Sequence, residues 1–171
     1  MIEIHPFGDF IPTTTHYLLL GSFTSKPSNN YLWFYSNGRN HFWSIMEKVY
    51  GLELSTKEKQ QKLFRDLNMA LTDIIYSCER KNINSSLDNN LTNIVFNIKG
   101  VDKIIRGNNI KKIYFSSRFV ESMFRKLFKD FIEEFPNVKL IYLPSPSPRF
   151  AVMSKKEKIR KYKELLPNFE Q

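Results

Sequence analysis

The sequence predicts an α/β fold, a three-layer α/β/α sandwich built around a parallel sheet. Three short apolar segments, 15–21, 110–117 and 138–144, have the character of strands buried on both faces. Helical periodicity of apolar residues separates them, most clearly over 118–135. Strands that alternate with helices are typical of parallel sheets, whose ligands bind at the carboxyl ends of the strands.

Further segments complete the predicted order of elements. Apolar periodicity, glycine stops and capping boxes each mark where a helix begins or ends. In chain order the sequence predicts a helix over 39–51, a helix opened by the capping box of Ser55 and Glu58, an extended segment at the end of 69–77, a polar loop over 79–94, a short helix over 101–106, and a helix from the capping box of Ser154 and Glu157 to Leu166.

Length and composition predict a single globular domain over residues 1–171. Hydrophobic residues make up 42% of the chain and charged residues 25%, which is typical of a soluble protein. The early apolar run 17–20 is too short for a membrane span or a signal-peptide core. We therefore expect a cytoplasmic monomer without membrane contact. The single cysteine, Cys78, excludes a disulfide framework within the chain and predicts an apolar filler.

The net charge of +9, from 26 Lys and Arg against 17 Asp and Glu, favours a polyanionic partner. Nucleic acid is the first such partner to consider. The alternative is a lysine-rich composition spread over solvated surfaces. We expect DNA as the partner once the loops are taken into account.

Three polar loops follow the predicted strands, at 21–40, 72–90 and 143–150. The first runs into the segment "LWFYSNGRNHFW" (32–43), which combines turn residues with both tryptophans of the chain. The third, which we call the proline loop (143–150, "LPSPSPRF"), predicts a rigid extended finger because proline cannot continue a central strand. Since parallel strands end at one edge of a sheet, the loops predict one polar and aromatic rim.

Common nucleotide-binding and hydrolase motifs are absent from the sequence. The six glycines form neither G-x-G-x-x-G nor a P-loop, and there is no G-x-S-x-G. The three histidines lack H-E-x-x-H spacing, so we expect neither a metal nor a cofactor. The aromatic rings, amides and hydroxyls that remain suit a site that stacks a flat base and hydrogen-bonds its edge.

Four motifs carry a family resemblance: "GSFTS", "FYSNGRNHFW", "TDIIYSCER" and "LPSPSP". In order and context they resemble the uracil-DNA glycosylase superfamily over 21–166, most of all its hypoxanthine-DNA glycosylase branch and bacterial relatives. The resemblance implies a four-stranded parallel sheet between helices. It also implies a monofunctional enzyme that excises a damaged or wrong base, such as uracil or hypoxanthine, from DNA.

The resemblance also implies roles for residues of the aromatic loop. Asn40, in the "RN-x-FW" element, takes the place of the asparagine that orients water. Tyr35, five residues earlier, matches the aromatic that stacks on the extruded base, with Phe23 and Phe34 as alternatives. The first motif lacks the Asn, Pro and final Gly of the mismatch-specific branch, and the second motif lacks the histidine of other branches.

Base and DNA contacts follow from the same comparison. Backbone amides of the first motif, from Ser22 to Ser25, are expected to bind the base edge and its developing charge. The proline loop is expected to enter the DNA groove, and the basic start of the last helix to contact phosphates. The expected base-binding residues are Gly21, Ser22, Phe23 and Tyr35, and the expected DNA-binding residues are Ser145, Pro146, Ser147, Pro148, Arg149, Lys155 and Lys156.

Two other functions stay open at this point. The altered motifs allow a nucleic-acid-binding module that has lost catalysis. A hydrolase of free nucleosides is disfavoured because a small substrate needs neither a basic helix nor a proline finger. Asp73 and Asp88 are candidate general bases by residue type, with structural and loop-capping roles as the alternatives.

Overall fold

A computed structural model of the chain describes residues 1–24, 32–85 and 87–170. Strands and helices follow one another along the chain without a long interruption in the described parts. The strands are β1 (Ile2–Ile4), β2 (Tyr17–Gly21), β3 (Met69–Asp73), β4 (Ile75–Arg80), β5 (Leu91–Phe96), β6 (Lys112–Phe115) and β7 (Lys139–Tyr142). The helices are α1 (Phe42–Tyr50), α2 (Lys57–Asp66), α3 (Ile98–Gly107), α4 (Arg118–Leu127), α5 (Lys129–Glu134) and α6 (Lys155–Leu165).

A four-stranded parallel sheet in the order β3-β2-β6-β7 forms the centre of the molecule. Successive side chains of a strand point to opposite faces, and strand β2 shows both faces buried. Leu18 and Leu20 pack in one hydrophobic cluster with α3, α4 and α5. Leu19 packs in a second cluster with α1, α2 and α6. The three-layer α/β/α sandwich is therefore confirmed.

A second sheet, which the sequence pattern did not predict, joins β1, β4 and β5 in antiparallel order. The expected loop over 79–94 is wrong at both ends, because β4 continues to Arg80 and β5 begins at Leu91. These strands are short and largely exposed on one face. Their polar residues therefore resemble loop residues when the sequence is considered alone.

Two predicted helix boundaries need correction. Helix α2 is capped by Thr56, whose hydroxyl accepts a hydrogen bond from the Lys59 amide at 3.2 Å, and not by Ser55. The long helix predicted over 118–135 is two helices, since Phe128 leaves the helical conformation between α4 and α5. Packing of the Phe side chains on the sheet preserves the same apolar face across this break.

Three other local predictions are confirmed. Gly51 ends α1 in the left-handed conformation, where glycine has no steric penalty. Ser154 caps α6 by accepting a hydrogen bond from the Glu157 amide at 3.2 Å. Cys78 is fully buried in the hydrophobic core, as a filler residue should be. Among the residues that the structure describes, no helix is long and apolar enough to cross a membrane.

Candidate functional site

A cleft of about 350 Å³ opens at the carboxyl edge of the central sheet, and we call it the strand-end cleft. The last residue of β3 and residues that follow β2, β6 and β7 line it, so its position follows from the parallel topology. Its lining is mostly hydroxyl, amide and aromatic groups. The lining residues are Ser22, Phe23, Thr24, Tyr35, Ser36, Asn37, Asn40, Asp73, Leu87, Asp88, Ser116, Ser117, Ser145, Pro146, Ser147, Arg149 and Phe150.

The strand-end cleft brings together most of the residues that the sequence singled out. Eight of them line it: Ser22, Phe23, Tyr35, Asn40, Ser145, Pro146, Ser147 and Arg149. Gly21, Pro148, Lys155 and Lys156 do not line it. Pro148 and the two lysines are exposed beside it, and Gly21 lies beneath Tyr35. The prediction for Ser25 lies outside the described residues.

Asn40 enters the strand-end cleft immediately before helix α1. Its Oδ1 accepts a hydrogen bond from the Phe42 amide at 2.8 Å, and its own backbone N–H donates to Asn37 O at 2.8 Å. The N-cap position belongs to His41, so Asn40 fixes the turn that precedes the helix. Within the described residues its Nδ2 has no hydrogen-bond partner, and this group is free to bind a ligand.

Tyr35 adopts a left-handed backbone conformation, with φ at 59°, which is uncommon for a residue other than glycine. One face of its ring stacks on Phe42 at a centroid distance of 4.1 Å. Its buried hydroxyl oxygen has no partner among the described residues. Burial, assisted by the charge of Asp73, raises the pKa of the Tyr35 phenol well above its ordinary value. The hydroxyl therefore stays protonated and can donate.

The two alternatives to Tyr35 differ in position. Phe34 is fully buried in the core and does not line the strand-end cleft. Phe23 does line it, and the Arg80 guanidinium lies 5.8 Å from the centre of its ring. Trp33 and Trp43 stack on each other within the core. Two rings, those of Tyr35 and Phe23, are thus available to a planar ligand.

A buried hydrogen-bond network supports the floor of the strand-end cleft. Asp73 Oδ2 accepts from the Thr24 hydroxyl at 2.6 Å and lies 2.6 Å from His5 Nε2. His5 Nδ1 lies 2.5 Å from the Phe7 carbonyl oxygen. Asp73 is only 3% exposed and both its partners are held in place. These surroundings favour a structural role for Asp73 over that of a mobile general base.

Asp88 is the second carboxylate that lines the strand-end cleft. It begins a short 3₁₀ turn, Asp88–Asn90, and lines the same cleft as Ser22. Burial raises the pKa of the Asp88 carboxyl, with a further contribution from the charge of Asp73. The Asp88 carboxyl therefore keeps its proton to a higher pH than the carboxyl of an exposed aspartate.

The proline loop is anchored through its backbone carbonyl groups. The Tyr162 hydroxyl donates to Pro144 O at 2.6 Å, and the His41 amide donates to Pro146 O at 3.1 Å. The loop is extended up to Pro146 and then turns, with the Phe150 amide donating to Ser147 O at 3.0 Å. The predicted finger is therefore shorter than the sequence suggested, because a turn closes its tip.

Three basic residues lie within or shortly after the proline loop along the chain. Arg149 lines the strand-end cleft, and Arg149, Lys155 and Lys156 are all exposed. Partial burial lowers the pKa of His41, and the charges of Lys155 and Lys158 lower it further. His41 is therefore less often protonated at pH 7 than a free histidine. We call Arg149, Lys155 and Lys156 together the cationic rim.

Comparison with known proteins bears on the architecture. No protein-family model and no curated protein matches the chain. A solution NMR structure of a candidate uracil DNA glycosylase from Methanosarcina acetivorans matches it with a TM-score of 0.66 and 20% sequence identity. The match covers 96% of this chain and 99% of that chain. The fold is uracil-DNA glycosylase-like.

Some residues of this glycosylase-like fold were not found by sequence reasoning. His5 contacts Asp73 across 68 positions of the chain, and no spacing rule links them. Lys158 lies within a run of basic residues, and its residue type does not distinguish it from its exposed neighbours. Only its spacing does, since Lys158 lies one helical turn before Tyr162, on the inward face of α6.

Proposed function

We propose that this chain is a monofunctional DNA glycosylase that flips a deaminated or mismatched base, uracil or hypoxanthine, out of DNA and excises it. The main support is that one cleft contains the Asn40 turn, the rings of Tyr35 and Phe23, and the proline loop. A pocket lined by rings and amides suits a flipped base, and an adjacent rigid loop suits the gap left in the duplex.

Hydrolysis of an N-glycosidic bond needs a positioned water and a stabilised leaving base. Asn40 supplies the first requirement. Its free Nδ2 can donate to a water, and Oδ1 can accept from that water through its second lone pair while it keeps the Phe42 amide. The hydrogen bond from the Phe42 amide, at the start of α1, holds the Asn40 side chain in place during the reaction.

The leaving base would be held at the end of strand β2. Backbone amides of Ser22 and Phe23 can donate to a base oxygen that gains negative charge as the bond breaks. Deamination converts an acceptor nitrogen at the edge of the ring into an N–H group. The Asp88 carboxylate can accept a hydrogen bond from this N–H. The same carboxylate would face the unprotonated ring nitrogen of cytosine or adenine, which disfavours the undamaged base.

Contacts to the DNA backbone would come from the cationic rim. Arg149, Lys155 and Lys156 are exposed next to the proline loop and can neutralise phosphates. Each phosphate contact adds about 0.9 to the slope of log affinity against log salt. Binding to DNA should therefore weaken steeply as salt is raised.

The test is base release from duplexes that contain uracil, hypoxanthine or a G·T mismatch, read as strand scission after alkali. Asn40→Ala is expected to release base about a hundredfold more slowly than the wild type, the usual scale for losing one catalytic polar group. Asn109→Ala, an exposed asparagine just before β6, is the matched control and should keep full activity. Full activity of Asn40→Ala would refute the site assignment.

The same assay separates the other two functions. Binding to every duplex without scission would favour a nucleic-acid-binding module, which is the second candidate because the first motif supplies no carboxamide. Turnover of free nucleosides alone would favour a small-molecule hydrolase. Tyr35→Ala should weaken release from all productive duplexes, since it removes the stacking ring that lies beside Asn40.

A further inference from the structure

Lys158 is a buried lysine beside the proline loop. Its residue is only 2% exposed, although every other lysine in the first turn of α6 is exposed. Its ammonium group donates to Ser147 O at 3.0 Å and lies 5.3 Å from the centre of the Phe150 ring. Burial lowers the pKa of Lys158 because the charged form loses hydration. Burying an ammonium group is costly, and a hydrogen bond to one loop carbonyl offsets part of that cost.

The proline loop needs external donors to hold its shape. Three of its residues are prolines, which have no backbone N–H, so fewer of its own amides can donate hydrogen bonds within the loop. Its anchors are donors from other elements, with Tyr162 binding the first part and His41 the middle. Lys158 provides the third anchor, at Ser147 O, where the loop turns.

The Ser147 carbonyl oxygen is the pivot of that turn. It accepts both from the Lys158 ammonium group and from the Phe150 amide, and the Ser147 hydroxyl accepts from the Arg149 amide at 3.3 Å. The turn directs Arg149 and Phe150 into the lining of the strand-end cleft. Its orientation therefore decides what the proline loop presents to a ligand.

We infer that Lys158 is a positioning residue, whose buried ammonium group fixes the turn at the tip of the proline loop so that the loop can enter a DNA duplex during base flipping. This inference rests on the proposed function. Lys158 differs from Lys155 and Lys156 because it is buried and acts through Ser147, whereas those residues are exposed to phosphates. A loop that fills the space of an extruded base is needed in a duplex and is dispensable on a single strand.

Lys158→Met tests the inference because methionine keeps most of the buried chain and removes only the ammonium group. The melting temperature should stay equal to that of the wild type or rise, since a buried charge is replaced by an apolar group. Release of uracil or hypoxanthine from a duplex should fall about tenfold or more, the scale of one hydrogen bond to a charged group. Release from single-stranded DNA should change by less than about threefold, because no stack has to be opened there.

Lys126→Met is the matched control for the loss of one positive charge. Lys126 is exposed in the last turn of α4, at the end opposite to Ser117 of the strand-end cleft. It should show wild-type rates on both substrates. Equal losses on duplex and single strand in Lys158→Met, or no loss on either, would overturn the positioning role.

A second measurement does not depend on catalysis. Hydrogen exchange of the Phe150 amide, which donates to Ser147 O, reports directly on the turn. Exchange should be faster in Lys158→Met than in the wild type and in Lys126→Met. Unchanged exchange would overturn the inference. If the wild-type protein releases no base from any DNA, the proposed function fails, while the exchange result still decides whether Lys158 holds the turn.

Discussion

Gly21 ends strand β2, and two side chains pack directly against its Cα atom. A Cβ atom at this position would lie 2.6 Å from Tyr35 Oη and would also collide with the Asp73 carboxylate. Asp73 cannot move aside easily because Thr24 and His5 hold it. The absence of a side chain at position 21 therefore allows the aromatic ring and the acidic network to meet under the cleft.

We expect Gly21→Ala to lower the free energy of unfolding by about 1–3 kcal/mol, the usual cost of overpacking. Base release should fall as well, because Tyr35 must shift. Urea denaturation measures the first effect and alkaline scission the second. Gly8→Ala is the control, since a Cβ atom at Gly8 meets no heavy atom within 4 Å among the described residues. Equal stability of the two variants would show that the packing at Gly21 is looser than described.

His5 should make stability depend on pH. Burial lowers the pKa of His5, but the hydrogen bond and charge of Asp73 outweigh this, and the pKa lies above its ordinary value. The protonated form is therefore favoured in the folded state. Its stabilising contribution is fully present below about pH 6.5 and is lost as the pH rises through the folded-state pKa.

The measurement is the urea midpoint of the wild type and of His5→Asn at a series of pH values. The stability advantage of the wild type should be largest at pH 6 and should shrink as the pH increases toward 9. An advantage that stays constant across this range would mean that His5 does not change protonation on unfolding.

At the scale of elements, helix α2 gives a sharp test of local chemistry. Thr56 accepts from the Lys59 amide, while the neighbouring Ser55 bonds to the Glu53 side chain on the surface. We expect Thr56→Ala to cost about 1 kcal/mol of stability, the usual value of a lost N-cap. Ser55→Ala should stay within about 0.5 kcal/mol of the wild type, as for most surface substitutions. A larger loss of stability in Ser55→Ala than in Thr56→Ala would show that Ser55 is the cap, as the sequence predicts.

The elements also show which features a sequence can predict. Strands β2, β6 and β7 were found because both their faces are apolar, and their shared direction placed the loops at one edge. Strands β1 and β5 were missed because short, half-exposed strands lack a distinctive pattern. The cap of α2 was wrong by one residue, since Ser55 and Thr56 are equally good capping residues until the backbone is known.

Among the residues in and around the strand-end cleft, those on strand-end loops can be predicted from the sequence, as Asn40 and the proline loop show. His5 and Lys158 cannot. Each contacts a partner that only tertiary folding brings near, Asp73 for the first and Ser147 for the second. The hypoxanthine branch and the preferred base stay predictions.

At the scale of the whole molecule, the parallel sheet brings the lining residues of the cleft to one edge, and the net charge of +9 favours a polyanionic partner. The strand-end cleft lies between the Asn40 turn and the proline loop, and the His41 amide joins the two through Pro146 O. This single hydrogen bond links the part that would hydrolyse the glycosidic bond to the part that would enter the duplex. The two loops are expected to move little relative to each other when DNA binds.

The most direct measurement is single-turnover release of uracil and hypoxanthine from duplex DNA by the wild type and by Asn40→Ala, with DNA affinity measured in parallel. Free base should appear with the wild type. Asn40→Ala should bind the duplex with similar affinity and release base about a hundredfold more slowly. Release of no base by the wild type, or equal release by the two proteins, would contradict a glycosylase whose water is oriented by Asn40.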